Sequence, residues 1–111
     1  MVTQKQLNQN ALTPGIAIGT LYTVPSNTKA TIQTVSLCNT TASAATVTLY
    51  RVPVGSAAGK GNMVVSAYSV PANSTVFMDN LRWVQEAGST IQAVQGTDQA
   101  INVFLDGVEV A

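Results

Sequence analysis

Between residues 45 and 52 the chain reads ATVTLYRV, and the side chains alternate one by one. Ala45, Val47 and Leu49 fall on one side; Thr46, Thr48 and Tyr50 fall on the other. That period of two marks a half-buried antiparallel strand. It returns in QAINVFLDGVEV (residues 99–110), where Ile101, Val103 and Leu105 share a face. TLYTV (20–24), ATIQTVSLC (30–38), MVVSAYSV (63–70), STVFMDNLRWV (74–84) and TIQAV (90–94) are further β-branched or aromatic runs. Pro25 and Pro71 stop two of them, and PVGSAAGKGN (53–62) reads as a loop. QEAGS and QGTD read as turns. Strong helix signals are absent; only WVQEAG is suited to one helical turn, which Gly88 would end. In SLCNTTASAATVTLY (36–50) we expect a β-hairpin, with Cys38 closing one strand, NTTASA turning, and residues 45–52 returning. The whole pattern predicts an all-β chain, a single antiparallel β-sandwich or jelly roll of about seven to eight short strands.

The chain also echoes itself. LYTVPSNT (21–28) matches AYSVPANS (67–74) in residue type, each a strand ending Tyr-x-Val-Pro and then small-Asn-small. Proline presets φ at a first corner and asparagine tolerates φ > 0. The two segments are expected to be equivalent hairpin units, with Tyr22 and Tyr68 at matching places. Two copies are too few for a solenoid.

The first residues differ. TQKQLNQNALTPG is rich in Gln and Asn, only Leu7 and Leu12 offer anchors, and Pro14-Gly15 signals a turn. We read residues 1–18 as an extended N-terminal arm, loose in the monomer, and residues 19–111 as the sandwich. The arm either docks on a neighbouring subunit or is a frayed terminus. Its removal through residue 15 is expected to leave the fold intact.

Composition sharpens this picture. Five basic and five acidic residues among 111 give zero net charge and a charged fraction of 9%, against about 25% in ordinary domains. Near-zero net charge favours association, so we expect a chain that spends its life packed against other subunits. Lys5, Lys29, Arg51, Lys60 and Arg82 form no basic run, which argues against a nucleic-acid partner. No apolar run approaches the ~18–20 residues of a membrane span. The N-terminal stretch has no apolar signal core, so synthesis in a cytoplasm is the expectation.

Candidate chemistry is sparse. A catalytic thiol needs a base, and Cys38 has no histidine anywhere in the chain; we expect it to be a small buried hydrophobe. One cysteine makes no zinc cluster, and Asp79, Glu86, Asp98, Asp106 and Glu109 are scattered without a calcium-loop pattern. GSAAGKGN lacks the Ser/Thr and the helix of a phosphate loop. Asn39-Thr40-Thr41 and Asn73-Ser74-Thr75 match glycosylation acceptors, without a signal sequence to make them meaningful. No catalytic residue, metal or cofactor is expected. Tyr22, Tyr50, Tyr68, Phe77, Trp83 and Phe104 are the aromatics. Trp83 is the best candidate for a sugar platform, though interface tryptophans are more usual. We expect Leu7, Leu12, Tyr22, Tyr68 and Trp83 to contact other copies or partners.

LYTVPSNTKATIQTVSLCNTTASAATVTLYRV (21–52) resembles the front half of a group of small structural proteins of tailed bacteriophages. Those chains read as a Leu-Tyr-x-Val-Pro strand, a Gly/Asn/Thr turn, a strand ending Cys-Asn-Thr, a Ser/Ala turn and a Thr/Val-rich strand. WVQEAGSTIQAV and INVFLDGVE are similar to their back half, which ends in Gly-Val-Glu. The resemblance covers nearly all of residues 19–109 and omits the arm. One departure is SNTK, where the group often has AGKT. The resemblance implies a non-enzymatic virion component, made in the host bacterial cytoplasm, with no catalytic residues to carry over. A capsid decoration (cement) or head-proximal role is favoured. A tail or neck accessory, or a carbohydrate-binding module on a tail tip, is the alternative. The implied partners are further copies of the chain, with a trimer favoured, and major capsid or neck and tail proteins.

Overall fold

The computed structural model describes residues 2–8, 15–97 and 99–111. Among them lie nine strands: β1 (Val2–Gln6), β2 (Gly19–Thr23), β3 (Lys29–Asn39), β4 (Ala45–Val52), β5 (Met63–Val70), β6 (Thr75–Met78), β7 (Trp83–Gln85), β8 (Thr90–Gln95) and β9 (Ile101–Val110). A single 3-10 turn, Lys60–Asn62, precedes β5. All strand pairs are antiparallel and form two sheets. Sheet A has the order β1-β9-β3-β6, with β7 also on β3; sheet B has the order β2-β8-β4-β5.

The pairing is nested. If β6 and β7 are taken as one interrupted strand, the first strand pairs with the last, the second with the second-last, and so inward to β4 with β5. The chain is thus one long antiparallel ribbon rolled so that successive pairs fall in alternate sheets. The contacts β9–β3 and β8–β4 then complete the two sheets. This is the jelly roll, a double-sheet solution to the edge-strand problem. The inward phases of the strands fill the space between the sheets. Ala45, Val47 and Leu49 of β4 and Ile101, Val103 and Leu105 of β9 are all buried there, as their alternation predicts. Each fully buried Leu or Ile contributes about 1.5–3 kcal/mol.

Three expectations are corrected. First, residues 36–50 are not a hairpin: β3 lies in sheet A and β4 in sheet B. The segment between them crosses the sandwich around buried Asn39. Its Nδ2 donates to Ser43 O (2.9 Å) and Val70 O (3.0 Å), and its Oδ1 accepts from Thr41 N (2.9 Å) and Thr41 Oγ1 (2.8 Å). That also removes Asn39 from any glycosylation role. Second, the two echoed segments are equivalent, but as corners rather than hairpins. Each leads from sheet B into sheet A, β2 to β3 and β5 to β6. Asn27 (φ 56°) and Asn73 (φ 52°) take the left-handed conformation. One residue later, Thr28 Oγ1 donates to Ser26 O and Ser74 Oγ to Ala72 O, both at 3.1 Å.

Third, the described part of the N-terminal segment is no loose arm. Val2–Gln6 pairs in register with Val110–Asp106 of the same chain. Leu7 enters the core, 5% exposed. Asn8 is buried beside β9, donating Nδ2 to Val103 O (2.6 Å) and accepting Leu105 N at Oδ1 (2.8 Å). The cause is the long last strand, whose outer edge would otherwise carry unpaired backbone groups. This strand, and the break of residues 74–84 into β6 and β7, bring the described strands to nine.

Candidate interaction surface

The outward phases of sheet A build one face. β9 presents Asn102, Phe104, Asp106, Val108 and Val110; β3 presents Lys29, Thr31, Thr34, Ser36 and Cys38; β1 presents Val2, Gln4 and Gln6. Phe77 of β6 and Val84 of β7 complete it. Of these, Val2 (65%) and Phe77 (66%) are strongly exposed, and Val84 and Val110 are exposed as well. Lys29 and Asp106 are the only charges among the strand residues on this face. Solvent-facing sheet surfaces usually carry polar side chains opposite the core phase. Six outward Val and Phe side chains on one sheet face are of the kind that marks an interaction site.

Its centre is shaped by a β-bulge. Ile32 pairs with Gly107 and Thr34 with Asp106, so Gln33 is the extra residue. The bulge resets the alternation, which lets both Ile32 and Val35 point inward. Leu81 N donates to Gln33 O at 3.1 Å and tethers the segment between β6 and β7 to the bulge. In that interval Asn80 has φ 58°. The result is a shallow polar gap on the outer face, lined by Thr31, Gln33, Thr34, Asp79, Asn80, Leu81 and Arg82.

A second concavity, of about 480 Å³, lies where the loop after β4 and the start of β5 approach β7 and the turn after it. Arg51 projects from sheet B to sheet A there. Its Nε donates to Gln85 Oε1 (2.7 Å) and its Nη2 to Val84 O (2.9 Å), with the guanidinium carbon 5.8 Å from the Trp83 ring centre. Burial holds the Arg51 pKa below its ordinary value. These bonds join the two sheets.

At the opposite edge Glu109 accepts from the Tyr22 hydroxyl and pairs with Lys5 Nζ at 3.3 Å. Burial, then the neighbouring Glu109, pushes the Tyr22 phenol well above its ordinary value. The trio ties β1 and β9 of sheet A to β2 of sheet B.

The five residues expected at contacts separate. Leu7 and Tyr22 belong to one core cluster and are unavailable to a partner, because the β1–β9 pairing carries Leu7 inward and a bulge at Leu21 turns Tyr22 toward Ile91. Leu12 lies outside the described residues. Trp83 is partly buried against the core, its ring under Arg51, so it offers no open platform for a sugar. Tyr68 alone is exposed (39%), on β5 at the far edge of sheet B. Cys38 lies on the outward phase of β3, between Asn102 and Thr75, and is half-buried rather than in the core. The face was signalled by Phe104, an aromatic out of phase with Ile101, Val103 and Leu105, and by Phe77 between inward Val76 and Met78. Among the described residues no group of three or more Cys, Asp or Glu side chains converges.

No family model and no curated protein matches the chain. Among solved structures it is similar to a chain in the structure of infectious bursal disease virus, Gx strain, with a TM-score of 0.51 and 12% sequence identity. The match covers 98% of this chain and 30% of that one, so this chain spans under a third of its structural relative. At that identity the likeness is one of fold: the whole of this jelly roll matches one part of a larger viral chain.

Proposed function

We propose that this chain is a non-enzymatic structural subunit of a tailed-phage virion, which associates with copies of itself and stabilises the particle as a capsid decoration or head-proximal protein. The observation that carries the reading is the outer face of sheet A, where six Val and Phe side chains stand among polar ones on a chain of zero net charge. Such a face left in water favours association. Two further points support it. The fold is shared with a chain of a virus structure, and the strand-and-corner motifs of residues 21–52 and 83–109 resemble small phage structural proteins. The major capsid protein, or a neck protein, is the partner outside the chain itself.

Light scattering behind size-exclusion chromatography tests the self-association. A defined oligomer is the expected result. A monomer at every concentration up to the millimolar range would remove self-association from the reading.

A further inference from the structure

The outer face of sheet A repeats itself about β3. Thr31 is in register with Val108 on one side and Val84 on the other. Ser36 is in register with Phe104 on one side and Phe77 on the other. Between these two rows, Thr34 has Asp106 on the β9 side and the gap containing Arg82 on the other. The three rows therefore read valine-threonine-valine, acid-threonine-base and phenylalanine-serine-phenylalanine.

From this we infer that the face is an isologous interface that takes a second copy of this chain, with the twofold axis lying along β3. Rotation about that line leaves each row level and exchanges its two ends. Phe77 of one copy then meets Phe104 of the other, and Val84 meets Val108. Asp106 enters the gap at Arg82 of its partner, each contact occurring twice, as a self-complementary patch requires. Small Ser36 and Thr31 lie on the axis, where bulkier side chains would hold the sheets apart. The aromatic pairs sit about one strand spacing to either side, near 5 Å, and packed aromatics carry interface energy. Asp79 also borders the gap, so Arg82 is the side chain whose charge fits Asp106. The three strand positions that overlap about this axis, β9, β3 and β6/β7, at about 4.8 Å each and a length near 35 Å, make a contact of roughly 500 Å² per copy. Both copies together bury about 1,000 Å², the lower bound for a specific interface. A twofold contact gives an even-numbered assembly in place of the trimer expected from the resemblance.

The inference rests on the reading of the chain as a self-associating subunit, and the test separates the two. Sedimentation equilibrium is run on the full chain and on F77A, D106R, R82D and the double variant D106R/R82D, with circular dichroism on each to confirm the fold. The expected result is a dimer or an even multiple, at least tenfold weaker in F77A and in each single charge reversal, and recovered in the double reversal. An oligomer unaffected by all four variants would overturn the inference while leaving self-association standing. A monomeric parent chain, or loss in the single variants without recovery in the double, would overturn it too. In the first of these the face would belong to a different virion protein.

Discussion

The backbone at Gly107 passes so close to Thr31 that a Cβ added at residue 107 would lie 2.0 Å from the Thr31 carbonyl oxygen. Only a residue without a side chain fits there, opposite the bulge at Gln33. Gly107→Ala forces β9 away from β3, the two long strands at the centre of sheet A. Overpacking of this kind costs about 1–3 kcal/mol. The expected outcome in urea is a markedly lower midpoint with an unchanged slope; an unchanged midpoint would contradict the close approach.

The two corners make a paired prediction. Asn27 and Asn73 both hold positive φ, which costs an ordinary L-residue roughly 1–2 kcal/mol. Asn27→Ala and Asn73→Ala are each expected to lower the melting temperature by about 4–8 °C per kcal/mol lost. Glycine at either position is expected to restore it. Equal melting of the alanine and glycine variants, followed by calorimetry, would count against the shared corner geometry.

The N-terminal strand is expected to matter for stability. Asn8→Ala strips a buried partner from Leu105 N and Val103 O, a loss of about 2 kcal/mol. Deleting residues 1–8 also removes Leu7 from the core and uncovers the edge of β9. Thermal melts with turbidity are expected to show a destabilised, aggregation-prone chain. A truncated chain that melts like the parent would restore the loose-arm expectation.

Much of the inside and outside was legible in the sequence, because strand alternation is a local signal. The phases of 45/47/49 and 101/103/105 are those seen in the core. The β1–β9 pairing was not legible, since it joins the two ends of the chain and leaves no local mark. The echoed corners look like hairpins in sequence because a crossing between sheets and a turn within one use the same Pro and Asn chemistry. The bulge had a trace in Gln33-Thr34, two polar residues in succession that break the alternation of β3. Of the five candidate contacts, Leu7 and Tyr22 failed because hydrophobic anchors were assigned to a neighbour when their own core claimed them.

Alkaline pH should loosen the join between the sheets. Tyr22 donates to Glu109, and its phenol is held above the ordinary value. A group with a raised folded-state pKa contributes stability that is complete below its unfolded value, about pH 10 for tyrosine, and that is lost as pH rises beyond it. Urea midpoints are therefore expected to fall above about pH 10. Tyr22→Phe should be less stable at neutral pH and show a shallower alkaline decline; an identical decline in both chains would exclude Tyr22 as its source.

As a virion subunit, this chain is expected to be built into a particle. The most direct measurement is quantitative mass spectrometry of density-purified virions made from the genome that encodes it, set against the cleared lysate. The chain is expected to co-purify with the particles at a fixed ratio to the major capsid protein, in many copies per particle. A chain abundant in the lysate and absent from the purified particles would contradict it.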